Sequence, residues 1–396
     1  MHYSKDFQFT LVVIACAGVA FSALSFSLPL LALDVSQDGA GLALVKGVGF
    51  VPNVLFAVFI GVINDRMIKE LAFRRYSLGL AALTLVLLAL VLTGRVSLLS
   101  LSIFMIAFNG LSYALGNVQG TLLRMTVAKE HLSDATAATS AIHAAISVAG
   151  PAFAGLLLVL LSHSGLIALC AAILLVATIL AARIRVAEEL PPKAPFLHSL
   201  KEGWQVFRAN RELVMMTIVI VLTNAAAGAF ETGIILKMKV LAGFSEFQIG
   251  LVFGVAGAGA LLASRVAAPL RRRLGYRVAF YWPILMLVAV YLVAVRPLPF
   301  WGYCAVGFME GALSLFFAIG VWSYRQESTE ARYMGRVAGL TGAIFKIGMP
   351  PVIFFAGVLS DWGQNMSVFY LVAGINFCAA LFLSTFAGWG VPRRAV

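Results

Sequence analysis

Charge is what this sequence has least of. Only 12% of its 396 residues are Asp, Glu, Lys or Arg, while 61% are hydrophobic, and one or two soluble cores cannot bury so much apolar surface. A soluble globular fold is therefore excluded. Acids are scarcer than bases, 17 against 29. That surplus requires no nucleic-acid partner, because basic residues flanking membrane spans and their attraction to anionic lipid account for it. Cysteine is sparse too: Cys16, Cys170, Cys304 and Cys378 stand apart with no C-x-x-C pair, which argues against disulfide or metal chemistry. G-x-x-x-x-G-K-[ST] is missing, and with it the motif for ATP drive. H-E-x-x-H and G-x-S-x-G are missing as well, so an enzyme is not expected, and neither is a cofactor or metal. No short segments alternate polar with apolar residues, as a transmembrane β-barrel would require.

What fills the chain instead is a series of long apolar runs, each able to cross a bilayer as a helix of roughly 20 residues. The expected fold is all-α, with spans at 9–33, 42–63, 76–94, 97–122, 136–161, 164–184, 213–236, 247–268, 277–295, 298–324, 336–358 and 367–389. The first run is too long for the apolar region of a signal peptide and lacks an A-x-A-like site, so it reads as span one. With the N-terminus inside, Lys and Arg fall on the cytoplasmic side apart from Arg95, Lys237, Lys239 and Arg296 outside and Lys46 and Lys346 within spans. The positive-inside rule then places both termini in the cytoplasm of a multi-pass inner-membrane protein.

Between spans six and seven lies the longest polar stretch. It begins with "EELPPKAP", whose prolines end span six, and continues into "FLHSLKEGWQVFRANREL". Phe196, Leu200, Trp204 and Phe207 fall near helical spacing beside Lys201, Arg208 and Arg211, the pattern of an amphipathic helix lying on the membrane surface. The expected organisation is a first six-helix bundle over 1–184, a linker over 185–212 and a second bundle over 213–396. The halves repeat at an offset of 201 residues: Gly110, Arg124, Ala137 and Ile146 correspond to Gly311, Arg325, Ala338 and Ile347, and Ser140 to Thr341. Such repeats mark transporters with a site between two related bundles.

After span two comes "GVINDRMIKELAFRR", in which Gly61, Asp65 and Arg66 match a G-x-x-x-D-R loop, and span five holds "AGPAFAG" with Gly150, Pro151 and Gly155. On these motifs, the twelve spans and the two halves, the chain resembles the major facilitator superfamily. The linker and "GAFETGIILKMKVLAGFSEFQIGLVFGVAGAGALLASRVAAPLRRRLG" are similar to the branch holding macrolide-type efflux pumps and the enterobactin exporter. The resemblance implies a secondary transporter in which Gly61, Asp65 and Arg66 gate the inner side. Arg124 and Arg325, at equivalent ends of spans four and ten, read either as partners in that gating or as ordinary positive-inside anchors. The second-half counterpart of the loop, "RVAAPLRRRLG", contains no acid.

Ionisable groups at the bilayer centre are costly and should face a bundle interior or a cavity. Glu310 near the middle of span ten and Lys346 near the middle of span eleven are expected either to lock together as an ion pair or to serve as a proton and cation site, Glu310 binding and Lys346 tuning it. Asn109 is the first-half counterpart of Glu310. Glu231 in the outer third of span seven is a second candidate, with Asn224 two turns before it on the same face. Asn117 and Gln119 in span four stand ready to bond a ligand or to bridge helices. Lys46 is expected to snorkel to the headgroups, and His143 to be a satisfied packing residue. Gly150-Pro151 and Pro350-Pro351 are expected to kink spans five and eleven.

The expected function is proton-coupled export of a small amphipathic organic compound, a metallophore or a drug-like molecule, by a monomer whose other partners are protons and lipid. Solute uptake by symport is the alternative, and a membrane-embedded enzyme the remote one.

Overall fold

The structure is a computed structural model and describes residues 4–127, 131–186, 196–330, 333–363 and 365–385. Among the described residues every regular element is helical. Helix α1 (Lys5–Ser36) leads into α2 (Gly39–Val48), a π-helical turn at Pro52–Phe56 and α3 (Ala57–Asp65). Then come α4 (Lys69–Leu92), α5 (Leu98–Thr126), α6 (Leu132–Ala181), α7 (Phe196–Ala209), α8 (Arg211–Leu236) with a π-helical end at Lys237–Leu241, α9 (Glu246–Val293), α10 (Phe300–Ser328), α11 (Met334–Ile344), α12 (Met349–Asp361) and α13 (Asn365–Ser384).

Ten of the described helices are long and apolar enough to cross a membrane, and Ala279–Val293 is a shorter apolar one. Two long helices are interrupted. In α6 the backbone turns at Ser162 (φ 59°), and in α9 it turns at Gly275 (φ 77°), a conformation that glycine reaches without a Cβ clash. Each interruption separates two apolar helical segments, which brings the described helices to the twelve spans expected from the sequence.

The chain groups into two compact units. Unit one comprises Met1–Gln37, Val48–Lys193 and Ser245–Gly250, and unit two comprises Asp38–Gly47, Ala194–Phe244 and Leu251–Val396. Two short segments therefore group with the other unit from their sequence neighbours: 38–47, which opens α2, and 245–250, which opens α9.

In unit one α1 packs on α6 and α4 on α5 and α6. A Cβ at Gly150 would strike Ser22 of α1, and Gly250 rests against the carbonyl of Pro151, so small residues allow these backbones to approach. The hydroxyl of Tyr76 donates to Asn64 Oδ1 (2.6 Å), and the Asn64 amide donates to the carbonyl of Ala114 (3.1 Å). Asn64 is thus tightly held within the G-V-I-N-D-R stretch.

In unit two α8 is central, packed by α12 and α13. An aromatic core of Tyr276, Phe280, Phe317, Tyr324 and Phe345 fills one end. The amphipathic helix expected in the linker is present as α7, but protein takes part of its inner face. Phe207 is buried with Leu213 and Val337, Gly203 lies against Arg336, and Arg336 bonds Glu202. Trp204 stays exposed; the side chains of Phe196 and Leu200 lie outside the described residues.

Candidate functional site

The backbone break in span eleven organises the polar centre of unit two. Pro350 and Pro351 have no N–H to offer the carbonyls of residues 346 and 347, and their rings crowd the preceding turn. Helix α11 accordingly stops at Ile344 and α12 restarts at Met349 with proline in its first turn. The carbonyl of Phe345 takes its hydrogen bond from the side-chain amide of Asn224 on α8 (2.9 Å). Beside it the Arg325 guanidinium donates to Thr341 Oγ1 (3.0 Å) and lies 5.9 Å from the Phe345 ring. Lys346 sits inside the break, half-buried. The kink expected in span eleven is therefore a true interruption, whereas α6 runs as continuous helix through Gly150 and Pro151. Gly150 serves there as a crossing point.

Glu310 is placed by glycine. On α10, Gly311 would clash through a Cβ with the backbone of Ala256, and Gly259 on α9 with that of Phe308. The glycine-rich "GVAGAGA" segment thus lets α9 and α10 touch backbone to backbone just where Glu310 sits. Ser314, one turn on, donates to Glu310 Oε1 (2.9 Å). Protein surrounds the carboxylate, and the residue as a whole is half-buried.

The charges acting most strongly on Glu310 are those of Glu231 and Lys46. These two form an ion pair of 2.6 Å, with the Lys46 side chain 9% exposed and that of Glu231 46% exposed. Lys46 therefore does not snorkel to the headgroups, as its sequence position suggested: segment 38–47 packs into unit two and carries the ammonium to Glu231. On α9, Tyr291 is fully buried, as is Asn376 of α13, and the Tyr291 ring stacks on Phe230 (4.6 Å), next to Glu231 in the chain. Two carboxylates and one ammonium thus gather within unit two.

The remaining candidates are dispersed. The Asn109 amide donates to its own helix at the carbonyl of Met105 (2.9 Å). Gln119 reaches His143 at 3.4 Å, bridging α5 to α6, and His143 is exposed rather than packed inside. Asn117 and Arg124 are exposed. Gly61 has open space where a Cβ would be, Arg66 is exposed, and Asp65 closes α3 with its backbone while its side chain lies outside the described residues. The acid missing from the "RVAAPLRRRLG" loop comes from the end of α10, where Glu327 binds Arg271 at 3.1 Å, which in turn covers the Tyr276 ring at 4.8 Å.

Sequence reading missed four participants. Ser314 sits at i+4 from Glu310, a spacing that could have flagged it. The contacts of Lys46 with Glu231 and of Tyr291 with Phe230 join residues too far apart in the chain for any local signal. Lys237, expected outside, is 3% exposed and donates to the carbonyls of Ala294 (2.6 Å), Val295 (3.0 Å) and Arg296 (2.7 Å) at the end of α9.

Among curated proteins none matches the chain. Solved structures similar to it include an auto-inhibited POT family peptide transporter (TM-score 0.78, 14% identity, covering 99% of this chain and 98% of that one) and a point mutant of the nucleoside transporter NupG (0.74, 13%, 96% and 100%). A bacterial homologue of the iron transporter ferroportin in an inward-facing state is also similar (0.73, 16%, 97% and 99%). At these identities the likeness concerns the fold. The family model of the Major Facilitator Superfamily matches residues 10–352, and the chain belongs to that superfamily of membrane transporters.

Proposed function

We propose that this chain is a proton-coupled secondary transporter that exports a small amphipathic organic compound, metallophore-like or drug-like, by alternating access. The single observation that carries the reading is the cluster around Glu310: a half-buried acid within a membrane protein, held by Ser314 and within the field of the Glu231 and Lys46 charges. An intramembrane acid is retained where it does work on ions or protons, and in a chain without a nucleotide motif an ion gradient supplies the energy. The similar structures are named as peptide, nucleoside and iron transporters or their homologues, so the fold leaves the cargo to the side chains.

In this reading Glu310, Glu231 and Lys346 handle charge, Asn224 shapes the break in span eleven, and Asn109, Asn117 and Gln119 offer the cargo polar contacts in unit one. Gly61, Asp65, Arg66, Arg124 and Arg325 belong to gating, with Gly150 and Pro151 as the flexing point of span five. The chain works as a monomer in the cytoplasmic membrane with both termini in the cytoplasm.

The test is flux in proteoliposomes under an imposed pH gradient. Cargo moving against the proton gradient supports export by exchange, and cargo moving with protons supports uptake by symport instead. Glu310→Gln should fold and retain cargo binding but lose pH-driven flux to the background of empty vesicles. Wild-type flux in that variant would remove Glu310 from the mechanism.

A further inference from the structure

Linker helix α7 takes no part in the cluster around Glu310, and its surroundings fix its depth. Three span ends meet it within unit two. Asn210, with φ −90° and ψ 90°, turns the chain out of α7 and caps α8 by accepting the N–H of Leu213 (2.9 Å), while its amide donates to the carbonyl of Ser328 at the end of α10 (3.5 Å). Glu202 bonds Arg336 in the first turn of α11, and Phe207 is buried with Leu213 and Val337. Helices α8 and α10 and the segment that α11 opens are each long and apolar enough to cross a membrane. Helix α7 therefore lies where three spans leave the hydrocarbon, at the level of the headgroups.

Away from that fastened side, α7 carries a different face. Lys201, Trp204 and Arg208 follow one another at i, i+3 and i+7, which sets them within one narrow arc of a helix. All three are exposed, Trp204 at 46%. The Phe207 ring lies 5.6 Å from the indole and props it at the edge between the two faces. The only acid of α7, Glu202, is engaged by Arg336. We propose that this face binds the headgroup of an anionic phospholipid, with Lys201 and Arg208 taking its phosphodiester and Trp204 seated between them at the boundary with the acyl chains. Long basic side chains reach phosphate oxygens while their stems cover apolar surface, and an indole prefers the same depth, ring inward and N–H toward the headgroups. Charge complementarity selects the occupant, because a zwitterionic headgroup brings a cation of its own to the two already there and an anionic one does not. The lipid site is independent of proton coupling: it needs only α7 and the spans that α7 touches.

The test uses the full chain in detergent, titrated at fixed detergent concentration with dioleoylphosphatidylglycerol or dioleoylphosphatidylcholine, each carrying a fluorescent acyl chain. Phosphatidylglycerol should bind about twenty-five times more tightly, each basic residue beside an anionic headgroup contributing a factor of about five. Lys201→Gln with Arg208→Gln should erase that preference at an unchanged unfolding temperature, and Lys201→Arg with Arg208→Lys should keep it. If the paired glutamine variant folds poorly, either single variant serves, with the preference reduced about fivefold. Arg272→Gln with Arg273→Gln, which removes two exposed cations of α9, controls for diffuse attraction and should leave the preference intact. Trp204→Ala should weaken both lipids alike by about tenfold, and Trp204→Phe should recover most of that loss. Inorganic phosphate at matched ionic strength should not displace phosphatidylglycerol, since it offers the indole nothing. Equal binding of the two lipids by the wild type overturns the proposal, as does a preference that survives Lys201→Gln with Arg208→Gln or falls with Arg272→Gln and Arg273→Gln. Displacement by inorganic phosphate overturns it too, by making the face a site for free anions. None of these readouts involves flux, so failure of the lipid site and failure of proton-coupled export are told apart.

Discussion

At the scale of single residues, the polar groups inside unit two divide into those bonded to backbone and those facing other charges. Asn224 belongs to the first kind: its amide occupies a carbonyl that the interruption before Pro350 leaves open. Asn224→Leu keeps the volume and removes the donor, so that carbonyl is stranded among the helices of unit two, at a cost of about 1–2 kcal/mol. A lower unfolding temperature in detergent with cargo affinity unchanged is the expected result; loss of affinity at unchanged stability would instead make Asn224 a cargo ligand. Glu310 belongs to the second kind. Its position near the middle of an apolar run marked it in the sequence, because one acid in a long apolar run has no local reason to be there. Its surroundings were illegible, since Glu231 and Lys46 come from helices 79 and 264 positions away and periodicity says nothing about which faces meet.

At the scale of helices, close backbone approach decides where side chains end up. The α9–α10 contact depends on Gly259 and Gly311, and a methyl at either would meet peptide backbone that cannot yield as a side chain does. Gly311→Val should therefore cost at least the ~1–3 kcal/mol typical of overpacking and displace Glu310 from its neighbours. Reduced yield of monodisperse protein together with lost pH-driven flux is the expected outcome, and wild-type behaviour in both would show that the helices do not meet there. The glycine-rich segment was readable as a contact surface from composition, but its partner was not. The two proline sites show the same limit from the other side. Pro350-Pro351 removes two adjacent donors and breaks the helix, whereas the single Pro151 removes one and the helix continues.

At the scale of the whole molecule, Lys237 holds together parts that the sequence keeps far apart. Its ammonium caps three carbonyls at the end of α9 and lies 5.2 Å from the Phe369 ring of α13 and 5.9 Å from the Tyr303 ring of α10. Lys237→Met preserves the stem but leaves those carbonyls without their donor. The variant should lose about 2–4 kcal/mol of stability, read as a drop in thermal unfolding temperature across unit two, with any residual folded protein still showing proton-driven flux. A variant as stable as wild type would mean that water satisfies those carbonyls equally well.

Composition alone made this an all-α membrane protein, because an unsatisfied peptide group in hydrocarbon costs several kcal/mol and long apolar runs answer that only as helices. The run lengths set the number of spans, the adjacent Pro350 and Pro351 marked where one helix must stop, and an isolated acid stood out against its apolar run. Which charges face one another was decided by tertiary structure alone. Lys46 shows why: at the start of a span a lysine can reach either to headgroups or inward, and its own sequence neighbourhood is the same in both cases. The packing of segment 38–47 into unit two, held by Asp361 and Glu231 from distant helices, is what turns it inward.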